Sequence, residues 1–333
     1  MKYLLGMSDS GSYILEIFSQ IHRVSGIETF SRNLFFHPLL SPFEKKTVSL
    51  SLNMALFKEV YRCGVIYNHV LYSPKTIVLS FLCLLMKKKI IFVSHGNLIV
   101  RKKGSYKKTV FLALLKSILF FTDSETQFLN SQEAARSRKI TRAFFLCPPY
   151  VNGQVKQRVR RMTDQIRLGY LGADYIERKG FDRMASFLGA ALSSNPNVKL
   201  IMAGFEMSPG VEEHFKRTKS LGSCSVCGPL YDSEKEKFWD EIDILLLFSR
   251  SEGWPMVVLE AILHEVPILL SHETNVADFV EQYQVGKAVS DFKAGSSIKA
   301  MLGEIGSFES AWSAHVANNG FEVLRSKLMG NPS

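Results

Sequence analysis

What this sequence lacks narrows it first. No apolar run approaches the roughly 18 residues that a bilayer span needs, and the longest, Thr76–Met86 and Ile242–Phe248, stop well short. The opening MKYLLGMSDS turns polar too early for a signal peptide, so a cytoplasmic chain is expected. Cysteine is scarce, five residues at irregular spacing, which argues against a disulfide framework. Cys224 and Cys227 form a CxxC with no second CxxC or nearby histidine pair beside it. Buried thiols are therefore expected there, not a redox or zinc site. There is no Asp-x-Asp to hold a divalent ion, no internal repeat and no low-complexity tract.

What is present is ordinary in bulk and uneven in charge. A chain of 333 residues, 46% hydrophobic and 22% charged, suits a globular protein of two domains. Residues 1–160 hold 24 Lys/Arg against 8 Asp/Glu, a charge of +16. The remainder holds 17 against 23, or −6, which together give the net +10. The basic residues cluster at Lys87–Lys89, RKKGSYKK (101–108), RSRK (136–139) and RVRR (158–161), several beside apolar stretches. Such a face attracts a polyanion, an anionic lipid surface or nucleic acid.

Short apolar runs rich in β-formers alternate with helix-periodic stretches along most of the chain. Strands are expected at Val65–Asn68, Ile90–Ser94, Phe120–Asp123, Phe144–Cys147, Arg167–Leu171, Lys199–Ala203, Ser225–Cys227, Ile244–Phe248 and Ile268–Ser271. Helices are expected at Ile77–Met86, Lys107–Leu119, Asp182–Ser193, Val211–Leu221, Ser233–Glu241 and Pro255–Leu263. This rhythm predicts an α/β protein of two doubly wound Rossmann-like domains facing a cleft. The expected domains are 1–153 and 166–310, with PPYVNGQVKQRVRRMTDQ as linker and a final helix in 311–333 packing back toward the first domain.

One stretch, SRSEGWPMVVLEAILHEVPILLS (249–271), carries chemistry. It follows the buried strand IDILLLFS, so RSEGW is a loop at that strand's carboxyl end, and Pro255 suits the first turn of the next helix. The amides of Met256, Val257 and Val258 are then unpaired at the helix N-terminus, an arrangement that binds phosphate. Gly253 lets a ligand approach the backbone. Glu260, two turns on, can accept both hydroxyls of a ribose, and Glu252 can accept hydroxyls of the group beyond the phosphate. A second stretch, RLGYLGADYIERKGFDRMASFLGAALSSNPNVKLIMAG (167–204), reads as strand, glycine turn, helix and strand. Lys179 stands at its helix entry, where an ammonium meets a diphosphate.

Together these stretches resemble the C-terminal domain of family 4 glycosyltransferases, retaining enzymes of the GT-B fold, of bacterial surface-polysaccharide type. EGWPMVVLE matches that family's E-G-x-P-x-x-x-x-E, and LGADYIERKG matches in part its G-R-x(n)-K-G turn, over nearly all of 166–290. In the first half, YNHVLYSP (67–74) and FVSHGNLI (92–99) are similar to the family's strand-end segments, with His95 facing the donor sugar and His69 a weaker candidate. TDSETQFL and CPPYVN resemble the steps before the linker. Two departures stand out. The arginine that follows the turn glycine Gly172 in the family is Ala173 here, and its T-G-x-x-E is ETNVAD, with Asn275 and Asp278 in the last two places.

The resemblance implies a metal-independent hexosyltransferase moving a sugar, with retention, from a nucleoside diphosphate sugar (UDP most simply) to an acceptor hydroxyl, with no other cofactor. Glu252, Lys179 and His95 would be catalytic. Gly172, Arg178, Gly253, Trp254, Pro255, Met256, Val257 and Glu260 would hold the donor, and no residue would hold a metal. The basic half would meet a glycan or lipid-linked acceptor at an anionic membrane surface, peripheral to the inner face of the cytoplasmic membrane, without binding nucleic acid. The alternatives are a non-catalytic nucleotide-sugar-binding or scaffold subunit, a nucleic-acid binder, and a glycoside hydrolase, whose two carboxylates would flank a scissile bond.

Overall fold

The structure, a computed structural model, describes residues 13–18, 26–70, 73–95, 124–129, 143–158, 164–293, 305–317 and 320–329, with positions 114, 117, 134, 135 and 298. It divides into two compact units, Met1–Asn152 with Asn319–Ser333, and Gly153–Asn318. Each unit holds one six-stranded sheet in which all pairings are parallel.

The first sheet consists of β1 (Ile14–Phe18), β2 (Lys45–Ser49), β3 (Val65–Asn68), β4 (Lys89–Ser94), β5 (Ser124–Phe128) and β6 (Phe144–Leu146), in the order β2-β1-β3-β4-β5-β6. Helices α1 (Gly26–Leu34), α2 (Met54–Arg62) and α3 (Pro74–Leu85) run between its early strands. Asn53 caps α2 by accepting the Leu56 amide at 3.0 Å, the kind of cap that contributes about 1 kcal/mol. The run ILEIF is buried throughout despite its glutamate, and the lysine-led β2 lies at the sheet edge, a common protection for an exposed strand.

Neither β1 nor β2 was expected from periodicity, because one has a charge at its centre and the other opens on two lysines. The expected helix Lys107–Leu119 and strand Phe120–Asp123 lie outside the described residues, apart from Leu114 and Ser117. So do the basic clusters 101–108, 136–139 and 159–161. The strand next to β4 is instead SETQF, which is too polar to show as a core strand. Its Gln127 is buried and satisfied, accepting from the Tyr67 hydroxyl at 2.5 Å and donating to the Cys147 carbonyl at 2.9 Å.

The second sheet consists of β7 (Ile166–Leu171), β8 (Val198–Ala203), β9 (Cys224–Val226), β10 (Ile244–Leu247), β11 (Ile268–Ser271) and β12 (Gly286–Val289), in the order β12-β11-β10-β7-β8-β9. Its helices are α4 (Ile176–Lys179), α5 (Phe181–Ser194), α6 (Pro209–Arg217), α7 (Asp232–Glu241), α8 (Met256–Leu263), α9 (Ala277–Gln282) and α10 (Phe308–Ala317). Leu168, Tyr170, Phe181, Leu188, Met202, Leu246 and Phe248 pack its core. The segment Gly153–Arg158, expected to be linker, is an extended strap on this unit. The Lys156 amide donates to the Leu263 carbonyl at 2.8 Å and the Arg158 amide to Glu265 at 2.9 Å. Its polar composition suggested solvent, but its partners are carboxylates and carbonyls that only the fold brings near.

The last helix, α11 (Phe321–Leu328), belongs to the first unit. Phe321 packs on His37, with centroids 4.0 Å apart, and Lys327 pairs with Glu125 at 3.1 Å. No helix among the described residues is long and apolar enough to cross a membrane. All five cysteines are free. Of the CxxC pair, Cys224 is half-buried and Cys227 exposed, a correction to the expectation that both are buried. Cys227 leads straight into the left-handed turn at Gly228, which ends the strand at the surface.

In both sheets the strand order reverses at one place. In the first, the chain steps from β1 to β2 and then returns to place β3 on the other side of β1; in the second, β10 is laid against β7 opposite β8. Crevices at the carboxyl ends of such strand pairs are where doubly wound sheets bind ligands.

Candidate functional site

In the second unit the β7–β10 reversal gathers the residues that the sequence singled out. Gly172 follows β7. A Cβ there would stand 2.9 Å from the Tyr170 hydroxyl and 3.8 Å from the Lys179 ammonium, so glycine keeps the lysine's space open. Lys179 ends α4, and its Nζ donates to Glu252 Oε1 at 2.6 Å. Arg178 lies 3.6 Å from the other oxygen, with its guanidinium over the Tyr175 ring. Gly180 then turns left-handed at φ 69°, where a Cβ would meet the Phe248 carbonyl oxygen at 2.2 Å. Only glycine fits that approach between the α4–α5 turn and the end of β10.

The loop carrying Glu252 is tied down from three sides. The Arg250 amide donates to the Arg178 carbonyl at 2.8 Å, and its guanidinium grips the Asp182 carboxylate at 2.8 and 2.5 Å. The Asn275 side chain donates to the Glu252 carbonyl at 2.6 Å, and Thr274 pairs with Glu252 as a parallel bridge. Asn275, a departure from the family pattern, therefore supports this loop. Trp254 turns its ring toward Phe279 and His315, at 5.7 and 5.0 Å between centroids, so that it packs the loop against α9 and α10. Ser249, just after β10, buries its Oγ with no hydrogen-bond partner among the described residues.

Helix α8 begins at Met256, with Pro255 in the capping position, one residue later than expected. The Val258 amide donates to the Pro255 carbonyl at 3.1 Å. This corrects the expectation of three open amides and leaves those of Met256 and Val257. Glu260 is buried on α8 and accepts from Lys235 of α7 at 2.7 Å. Burial pushes its pKa up, helped by Glu236, and the Lys235 ammonium works against that rise. Sequence reasoning missed Lys235, Asp182 and Arg250. Charged residues on a loop or helix carry no signal of their partners until the fold is known.

His95 is in the first unit, just beyond β4. His69 Nδ1 and His95 Nε2 are 2.7 Å apart, and His69 Nε2 is 3.0 Å from Glu16 on β1. His69 and Glu16 are fully buried, and His95 is half-buried. The sequence signal for Glu16 was the acid inside ILEIF, which no periodicity template explains. Among the described residues no group of three or more His, Cys, Asp or Glu is placed to hold a metal ion.

This is the two-domain doubly wound fold of GT-B glycosyltransferases. Residues 165–303 match the family model described as "Glycosyl transferases group 1". Among solved structures, WaaG, a glycosyltransferase involved in lipopolysaccharide biosynthesis, is similar at 11% identity and TM-score 0.69, over 96% of this chain and 100% of that one. HepE of Anabaena, solved with UDP and glucose, is similar at 12% identity and TM-score 0.69, over 96% and 99%. Sucrose-phosphate synthase from Thermosynechococcus elongatus follows at 15% and 0.64, over 96% and 95%. At these identities the likeness speaks for the fold. No curated protein matches the chain.

Proposed function

We propose that the protein is a retaining, metal-independent glycosyltransferase that moves a sugar from a nucleoside diphosphate sugar, a UDP-sugar first, to the hydroxyl of a glycan or lipid-linked acceptor. The observation that carries this reading is the Lys179–Glu252 pair at the β7–β10 reversal, with Arg178 beside it. Two cations share one carboxylate there, and the Met256 and Val257 amides open from the same loop's helix. A diphosphate binding to Lys179 would displace Glu252 from the ammonium and free it to accept hydroxyls of the sugar. The leaving diphosphate gains charge as the glycosidic bond stretches, and preorganised cations and amides stabilise that charge. Fixed positive charge can do the work that a divalent ion does elsewhere. Glu260, buried and partnered on one oxygen by Lys235, has acceptor capacity left for ribose hydroxyls. The HepE complex with UDP and glucose favours UDP as the first base to try.

The acceptor side of the reading places the basic first unit at an anionic membrane surface, peripheral to the inner face of the cytoplasmic membrane. Helix α3 supports this, since Val78, Phe81 and Leu85 are 50%, 55% and 66% exposed at helical spacing on one face. Lys75 and Lys87 are exposed at the two ends of that helix. The test is incubation with UDP-, GDP- and ADP-sugars in turn, measuring thermal shift and release of nucleoside diphosphate. Stabilisation and turnover with one base are expected. A thermal shift without turnover would favour a non-catalytic binder, and no response to any of them would overturn the reading.

A further inference from the structure

The cluster at the other strand-order reversal, in the first unit, has a direction built into it. Every acceptor position of Glu16 is used: Ser31 and His69 address Oε1, while Lys45 and Thr47 address Oε2, each at 3.3 Å. Burial alone would push this carboxyl up, but His69, Lys45 and Ser31 outweigh it and hold the pKa at about 2. Glu16 is therefore an anion, and an anion only accepts. His69 must donate its Nε2–H to it. A neutral imidazole has one N–H, so His69 Nδ1 is an acceptor, and the proton in the 2.7 Å contact comes from His95 Nε2. His95 Nδ1 is then a bare lone pair, with no partner among the described residues.

The surroundings keep both rings neutral and still. Phe18 stacks on His69 at 4.5 Å, Tyr67 meets its edge at 5.0 Å, and Phe30 meets His95 edge-on at 4.8 Å. Burial lowers the pKa of each histidine, and the neighbouring His69 lowers that of His95 further. A metal does not fit between the rings. A shared zinc, with bonds of about 2.0–2.1 Å to each nitrogen, would hold the two nitrogens well over 3 Å apart.

We propose that Glu16 and His69 are positioning residues that lock His95 with its proton on Nε2, so that Nδ1 accepts a hydrogen bond from a hydroxyl of the sugar substrate. The choice of sugar rests on the glycosyl-transfer reading above; the direction of the relay does not. An acid–histidine chain of this kind orients a working nitrogen in the same way that a carboxylate hydrogen-bonded to a metal-ligating histidine fixes its ring and tautomer.

The experiment is nitrogen NMR on the full chain labelled at histidine, at pH 7.5, first without ligand. Both His69 and His95 should appear as single Nε2-protonated tautomers. In His69→Phe, which keeps an aromatic ring against Phe18 but offers no acceptor, His95 should spread between tautomers. In His69→Gln, whose side-chain carbonyl can accept from His95 Nε2, the single tautomer should return. A proton on His95 Nδ1, a doubly protonated His69, or a His69→Phe protein with an unchanged His95 would each overturn the relay.

UDP-glucose and methyl glucoside are then added separately, and the His95 Nδ1 signal should shift with one of them. The responding probe identifies a donor or an acceptor hydroxyl, and in turnover assays His69→Phe should raise the KM of that substrate about tenfold, with rescue by His69→Gln. An Nδ1 signal that ignores both probes, in protein that thermal shift shows to have bound UDP-glucose, would overturn the hydroxyl contact. Absence of any nucleotide-sugar binding would instead count against the glycosyl-transfer reading, while the tautomers of the free protein still decide the relay.

Discussion

Lys179 and Glu252 are 73 residues apart in the chain and 2.6 Å apart in the fold. Both side chains are largely buried, at 13% and 9% exposure, and the glycine turn before one and the tethered loop around the other hold them there. The pair is preformed, and Glu252 lies on the loop that leads into α8.

If Lys179 meets the diphosphate, Lys179→Ala should lower turnover by about 10²–10³-fold, the scale for removing one preorganised donor to developing charge. Ala173 supplies no second cation at the turn, so Arg178 alone would remain beside Glu252. Steady-state turnover of the parent should be unchanged in EDTA. Loss of activity on chelation, restored by magnesium or manganese, would contradict the assignment.

Glu260→Gln should weaken nucleotide diphosphate binding roughly ten- to a hundredfold, matching about 1.5–3 kcal/mol for a hydrogen bond to a charged group. It also leaves the Lys235 ammonium without its anion. Glu252→Gln should mainly lower kcat, because that carboxylate addresses the transferred group. Calorimetric titration with UDP separates the two, and equal UDP affinity in the parent and Glu260→Gln would refute the ribose role.

Gly180→Ala tests the local geometry. The added methyl would stand 2.2 Å from the Phe248 carbonyl oxygen, on a residue at φ 69°. Left-handed strain alone costs about 1–3 kcal/mol, and the clash must be relieved by moving the turn that carries Lys179. A fall of several degrees in Tm and a matching loss of nucleotide affinity are expected. An unchanged Tm would mean that this close approach is not kept in solution.

Much of this was legible in the sequence where one physical rule dominated. Buried parallel strands such as ILLL and IIFV showed as unbroken apolar runs, and EGWPMVVLE showed its loop, helix start and carboxylate spacing. What stayed hidden depended on partners distant in sequence. SETQF and ILEIF do not look like core strands because their polar groups are satisfied by residues distant in sequence, by Tyr67 in one case and by His69, Lys45 and the α1 residue Ser31 in the other. Arg250 carries no sign of its partner in the sequence, and only the fold sets Asp182 opposite it. His95 was visible as a strand-end histidine, but its tautomer was not, since that is set by Glu16 at the far end of a chain of three residues.

The same cluster sets an acid limit to stability. His69 and His95 are held below the ordinary histidine pKa of 6.5 by burial, so the unfolded chain takes up their protons first as pH falls. Their contribution is intact above about 6.5 and declines below it. Glu16, held at about 2 against 4.5, adds a second loss between those two values, with Lys45, Ser31 and Thr47 facing it. Urea denaturation of the parent and Glu16→Gln across pH 7.5 to 3 should show the stability gap between them narrowing below pH 4.5. A gap that widened below pH 4.5 would have the wrong sign for this account.

Membrane binding should need both the charge of the first unit and the outer face of α3. That face presents Val78, Phe81 and Leu85 to solvent, while Leu79, Ser80 and Cys83 face inward, so the outer three are available without disturbing the core. Fully burying a side chain of this size contributes about 1.5–3 kcal/mol. Each lysine near an anionic leaflet adds about 1 kcal/mol, screened over roughly 8–10 Å by salt. Neither part gives firm attachment alone, but together they suffice for reversible binding without a spanning helix. The intact chain should therefore co-sediment with anionic vesicles, weakly with neutral ones, and much less at high salt. Val78→Ser, Phe81→Ser and Leu85→Ser combined should cut anionic binding at least tenfold and leave UDP affinity alone. Replacing Lys102, Lys103, Lys107 and Lys108 by serine should remove the preference for anionic lipid. Equal binding to both vesicle types, or to neither, would send the acceptor search to soluble glycans.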